Sequence, residues 1–156
     1  MGSPKGKTRK AKSYGTQQVA GKKHVPKGEA PWADIKHFKP SEFTCKCQGL
    51  CDHPNAISPE LVAKLDRIRD LIGMPLIITS GTRCERYNQQ VGGRRGSAHV
   101  PRDAVSHAAD IFCPDTGFRF AFLVAALPVF NRIGIGKDFI HVDDDPQHPP
   151  NLIWVY

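Results

Sequence analysis

No stretch of the chain approaches the roughly 20 consecutive apolar residues that a bilayer-spanning helix requires, so no membrane insertion is expected. The first residues carry charge but no hydrophobic core of a secretory signal, which reads as a chain made soluble in a cytoplasm. Cysteine is scarce and odd in number, at positions Cys45, Cys47, Cys51, Cys84 and Cys113. Five thiols without a signal peptide do not imply a complete disulfide framework. Acidic residues are missing altogether from positions 1–27, where eight Lys or Arg stand. No internal repeat or low-complexity segment appears outside that tail, and no coiled-coil pattern argues for an oligomer. A monomer is expected.

The net charge of +7 is therefore local. From Pro31 onward, Lys plus Arg number fourteen and Asp plus Glu fourteen, so no global basic field exists outside the tail. This argues against a nucleic-acid-binding protein, except weakly through the tail, whose contacts would be salt-sensitive and blind to sequence. Residues 1–31 have too few apolar side chains to offset the entropy of ordering them and read as a basic disordered tail. At Trp32, Ile35 and Phe38 the composition changes, and 32–156 reads as one domain. With 40% apolar residues the chain can build one core.

The clearest element is a helix. Ser58-Pro59-Glu60 supplies an N-cap, a proline in the first turn and an acid near the positive end of the helix dipole. Ile57, Leu61, Leu65, Ile68 and Ile72 then recur at spacings of four, four, three and four, one helical face that stops at Gly73. Short strands are expected at 76–79, 108–112, 133–135, 139–142 and 152–155, and further helices at 85–91 and 118–127. Interspersed helices and short strands predict an α+β fold with a small, mainly antiparallel sheet. Residues 92–106, rich in Gly, Arg and Ser, have no hydrophobic period and read as an exposed loop.

Three residues stand out against this background. In Phe139-Ile140-His141-Val142-Asp143, alternation puts His141 and Asp143 on one face of a strand. Asp110 opens an apolar strand where a carboxylate is a poor choice for packing alone. His99 lies in the long loop. Two imidazoles and a carboxylate form a recognised catalytic zinc set that leaves room for substrate; equally, each taken alone is an ordinary hydrogen-bonded residue. The Cys45, Cys47, Cys51 cluster has no standard zinc spacing. His53 or Cys84 would complete a metal site there, and thiols packed under a loop are the other reading.

Several motifs occur in series: Ser80-Gly81-Thr82-Arg83-Cys84-Glu85-Arg86-Tyr87-Asn88, Gly93, Ser97-Ala98-His99, Ala108-Ala109-Asp110-Ile111 and Ile140-His141-Val142-Asp143. The series resembles the signature of the M15 metallopeptidases, in their subfamily A, a family that includes zinc D-Ala-D-Ala carboxypeptidases, related dipeptidases and phage endolysins. The Phe38-Lys39-Pro40-Ser41-Glu42-Phe43 opening and the cysteine-rich loop look like its phage-type branch. The resemblance implies a Hedgehog/D-Ala-D-Ala-peptidase-like fold and zinc held by His99, Asp110 and His141. It further implies that Arg83 positions substrate and that Asp138, three residues before the last ligand, is the general base. Asp143 is the rival base, or else a partner that fixes the tautomer of a ligand imidazole. Tyr87 and Asn88 match the motif as support for the Arg83 turn, and Trp154 is expected to pack in the core rather than line a cleft.

The substrate implied is bacterial peptidoglycan, cut as a carboxypeptidase or an endopeptidase. With no secretory signal, the expected setting is a host cytoplasm, from which the protein would reach the wall through a separate pore or in a virion. The alternative is a non-catalytic zinc-containing relative that binds peptidoglycan. One departure from the family stands out: its first His and its Asp are usually separated by fewer than the ten residues found here between His99 and Asp110. Either 100–107 bulges as a longer loop, or His107 replaces His99 as a ligand.

Overall fold

The computed structural model describes residues 32–52 and 55–156. The basic tail and His53 lie outside the described residues. A short 3-10 turn at Pro40–Phe43 leads into helix α1 (Pro59–Ile72), strand β1 (Ile78–Ser80), helix α2 (Glu85–Gln90) and strand β2 (Ala108–Phe112). Helix α3 (Thr116–Ala126) and strands β3 (Arg132–Ile135), β4 (Phe139–Asp143) and β5 (Leu152–Val155) complete the order. Among the described residues no helix is long and apolar enough to cross a membrane.

Helix α1 begins and ends where its caps dictate. The Ser58 hydroxyl accepts the Leu61 N–H at 3.3 Å. At the other end Gly73 adopts φ 64°, and its N–H returns to the Arg69 carbonyl, a left-handed stop that glycine enters without steric cost. Helix α3 starts at Thr116, two residues before its apolar pattern, because the Asp115 carboxylate accepts the Phe118 N–H at 2.8 Å. Strand β1 starts at Ile78, two residues later than expected. Leu76 is buried, but pairing with β2 begins at Ile78↔Ile111 and shifts register before Ser80↔Asp110.

The five strands form one mixed sheet in the order β1-β2-β4-β3-β5. Three pairings are antiparallel and only β3 with β5 is parallel. Helices α1 and α3 supply Leu61, Leu65, Ile68, Phe118 and Phe122 to a core shared with Ile111, Ile133, Ile140 and Val142 of the sheet. Each such side chain contributes about 1.5–3 kcal/mol on burial, enough together to carry polar groups on the opposite face. Register then aligns that face. Ser80, Asp110, His141, Gly134 and Trp154 are Cα partners in one row across all five strands, and Ala108, Asp143, Arg132 and Leu152 form the next row.

Candidate metal centre

Asp110 and His141 meet because β2 and β4 pair with these two residues opposite each other. His99 reaches them from the loop after α2, where its carbonyl accepts the Arg83 N–H at 2.8 Å and the neighbouring Ala98 carbonyl accepts the His107 N–H at 2.8 Å. All three side chains are buried. His99 Nε2 and His141 Nδ1 are 3.2 Å apart, and they stand 3.2 and 2.8 Å from Asp110 Oδ1. A tetrahedral zinc site with bonds of about 2.0–2.1 Å places ligand atoms roughly 3.3 Å from one another, so the set has the right span.

The remaining ring nitrogens decide which atoms point inward with lone pairs. His99 Nδ1 lies 2.6 Å from the Gly81 carbonyl, to which only an N–H can donate. His141 Nε2 lies 3.0 Å from Asp143 Oδ2. In the neutral rings, protons on these outer nitrogens leave His99 Nε2 and His141 Nδ1 with lone pairs beside the Asp110 carboxylate. Three electron-rich atoms converging away from water call for a cation, and the donor set fits zinc.

Charge follows the same logic. Burial pulls the His99 pKa below the ordinary 6.5 and outweighs the attraction of Asp110. Burial pulls on His141 too, but bonds to Asp110 and Asp143 overcome it and raise that pKa. Asp110 is held far below the usual carboxylate range: burial works against ionisation, and His99 and His141 prevail. Asp143 is also lowered despite burial, by His141 and by Arg132, whose Nε donates to Asp143 Oδ1 at 2.7 Å.

Arg83 is anchored twice. Its Nε donates to Ser80 Oγ at 2.7 Å, and its Nη2 contacts Asp110 Oδ2, the oxygen turned away from the two histidines. Asn88 is buried and its amide donates to the Arg94 carbonyl at 2.9 Å, which ties α2 to the loop carrying His99. His107 stands apart from the cluster, with Nδ1 3.2 Å from Asp144 Oδ1. Asp138 also lies outside it, exposed in the turn between β3 and β4, where its carbonyl accepts the Cys113 N–H at 2.8 Å.

Trp154 corrects the expectation of core packing. It is half-buried on the site face with its ring 5.5 Å from that of His141, and the Arg132 guanidinium lies 5.3 Å from its ring centroid as a cation–π partner. Tyr156 follows, 6.1 Å from Trp154 and 5.0 Å from Phe139. Gly134 makes room for this aromatic wall: a Cβ there would stand 2.7 Å from Trp154 Cε2 and from Tyr156 Cε2. Ser80 and Gly81 stood in the motif around Arg83 without a role of their own, and Arg132 carried no sequence signal, since its place beside Asp143 comes from strand register. Asp143 was legible from alternation alone.

A buried His, Asp, His set on the sheet face opposite α1 and α3, with an arginine on its carboxylate and an aromatic flank, defines a candidate metallohydrolase. The Peptidase M15 family model matches residues 36–143, and the chain belongs to this family of zinc-dependent metallopeptidases. No curated protein sequence matches the chain.

Proposed function

We propose that this chain hydrolyses a peptide bond in the stem peptide or cross-link of bacterial peptidoglycan, as a phage-encoded wall-lytic enzyme. The observation that carries the reading is the convergence of His99 Nε2, Asp110 Oδ1 and His141 Nδ1 within 3.2 Å in a chain that belongs to a peptidase family. A zinc ion held by these atoms supplies Lewis-acid polarisation of the scissile carbonyl and lowers the pKa of a water.

The protein's own groups do the rest. Arg83, fixed by Ser80 and Asp110, presents a planar guanidinium suited to a substrate carboxylate or a developing oxyanion. Asp138 takes the proton of the attacking water and returns it to the leaving amine. Its place three residues before His141, in the open turn at the start of β4, supports this role. So does the commitment of its rival: both Asp143 oxygens are engaged, one by His141 and one by Arg132. Trp154 and Tyr156 form the flank on which a peptide stem rests.

The test compares wild type with Asp138→Asn and His141→Ala on purified peptidoglycan, with metal analysis and mass spectrometry of released fragments. Wild type is expected to release fragments whose new termini identify the bond. Asp138→Asn keeps its zinc and loses about 10²–10⁴-fold in rate, the usual worth of a general base, and His141→Ala loses both. Zinc bound by a wild type that cuts nothing would instead favour a non-catalytic, peptidoglycan-binding relative.

A further inference from the structure

A second group of ligating side chains lies apart from the His, Asp, His cluster. The Sγ atoms of Cys45, Cys47, Cys51 and Cys84 all fall within 4.8 Å of one another. The local backbone brings them there. After Cys47, Gln48 and Gly49 take φ of 59° and 82°, a tight reversal closed by the Leu50 N–H on the Cys47 carbonyl at 3.3 Å. The reversal returns Cys51 to Cys47, with sulfurs 3.3 Å apart. That is well beyond the roughly 2.05 Å of a disulfide bond.

Cys84 arrives from a distant part of the chain, at the N-cap of α2. Backbone N–H groups already point at two of the sulfurs: Cys84 N–H donates to Cys45 Sγ at 3.2 Å and Tyr87 N–H to Cys84 Sγ at 3.4 Å. Cys45 and Cys47 are buried, and Cys51 and Cys84 are half-buried. Four sulfurs around zinc, with bonds of about 2.3 Å, stand roughly 3.8 Å apart. The observed group has that size, and a closed set of four thiolates with no open position is the pattern of a structural site.

We propose that Cys45, Cys47, Cys51 and Cys84 bind a second, structural zinc ion that clamps the 45–51 loop to the turn bearing Arg83. The clamp matters to the first site through short covalent paths. Just before Cys45, the Phe43 carbonyl accepts the Thr82 N–H at 2.9 Å, and just after it Lys46 Nζ donates to the Thr79 carbonyl at 2.6 Å. Just before Cys84 stand Gly81, whose carbonyl orients His99, and Arg83, which holds Asp110. Metal in the cysteine site fixes the frame on which both are mounted. Cys113 takes no part, being bonded to the Asp115 carbonyl at 3.4 Å within the core.

The test counts zinc in the full chain purified with a thiol reductant, for wild type, His141→Ala, Cys84→Ser and His53→Ala. Two zinc ions are expected in wild type and in His53→Ala, and one in each of His141→Ala and Cys84→Ser. Cobalt substituted into His141→Ala should show the intense thiolate-to-metal charge-transfer bands of a four-sulfur site, and a mercurial should release that one metal as it titrates the cysteines. Because Cys84→Ser also alters the N-cap of α2 and with it the fold, wild type is titrated with cobalt as well, where only one of two equivalents is expected to show those bands.

A single zinc in wild type that His141→Ala removes, or cobalt binding without charge-transfer bands, overturns the proposal. Loss of one zinc in His53→Ala overturns the four-cysteine ligand set. A single zinc that survives His141→Ala and carries the thiolate bands upholds this site while removing the catalytic one, so the two failures are distinct.

Discussion

Asp143→Asn tests how the metal centre is prepared. Asp143 is not one of the three proposed metal-holding residues, yet its Oδ2 holds the His141 Nε2 proton at 3.0 Å and thereby keeps Nδ1 free to face Asp110 and His99. Asparagine has the same shape but only one accepting oxygen. If that oxygen serves Arg132, as Oδ1 does now at 2.7 Å, the amide NH2 faces His141 and favours the tautomer protonated on Nδ1. If it serves His141, the NH2 faces the Arg132 guanidinium. Removing such an orienting carboxylate costs about 10–100-fold in metal affinity, or about 1.4–2.7 kcal/mol. The metal-free protein should lose stability as well, by about 1.5–3 kcal/mol for a charge-assisted hydrogen bond. Arg132 itself stays tethered, to the Pro149 carbonyl at 2.6 Å and to the Trp154 ring.

The pH dependence of the same variant has a defined sign. Burial disfavours the charged His141, but Asp110 and Asp143 raise its pKa above the ordinary 6.5. Proton and metal compete for Nδ1, so wild-type affinity is full above that raised pKa and falls as pH drops through it. Without the Asp143 carboxylate the fall begins at lower pH. Zinc dissociation constants from chelator competition across the acid range, with thermal melts of metal-free protein, read both effects. An unchanged dissociation constant in Asp143→Asn would refute the tautomer argument, and an unchanged acid limb would refute the charge argument.

Two further substitutions separate the frame of the site from the frame of the fold. In Gly81→Ala the new Cβ would stand 2.6 Å from Phe43 Cα and 2.7 Å from Phe43 O; backbone cannot swing aside, so a loss of about 1–3 kcal/mol is expected from overpacking. The turn's displacement also moves the carbonyl that orients His99, so thermal melts and zinc affinity should fall together. Ser58→Ala removes the cap of α1 and should cost about 0.5–2 kcal/mol, read as a lower melting temperature with zinc content unchanged.

The features that were legible in the sequence are those with local causes. Helix α1 was readable to the residue because its cap, its period and its left-handed glycine are all encoded within 58–73. Strands β2 and β5 likewise match their apolar runs. Helix α3 begins earlier than its apolar pattern because its first turn is set by Asp115 and not by packing. The parallel placement of β5 beside β3 has no local signal at all. It is what carries Trp154 out of the core and onto the metal face, since α1 and α3 cover only the opposite side of the sheet. Site residues that touch one another across strands or turns, such as Ser80 with Arg83 and Arg132 with Asp143, become visible only when the fold fixes their register.

The ten residues between His99 and Asp110 show why spacing along a chain is a weak criterion for a metal site. The added length folds upon itself. Arg102 and Val105 exchange backbone bonds at 2.9 and 3.0 Å around Asp103 and Ala104, which take φ of 51° and 68° as in a tight two-residue hairpin turn. At its base the Ser106 N–H is held by the Ala56 carbonyl at 2.7 Å and the His107 N–H by Ala98, while Arg102 reaches the Gly96 carbonyl. A hairpin returns the chain to where it left, so its residues add contour without adding span. His99 therefore keeps its place beside Asp110, and His107, although nearer to Asp110 in sequence, is directed to Asp144 instead. What holds His99 in position is the hydrogen bonding at the foot of the loop and the Gly81 carbonyl on its ring, not the number of residues that follow it.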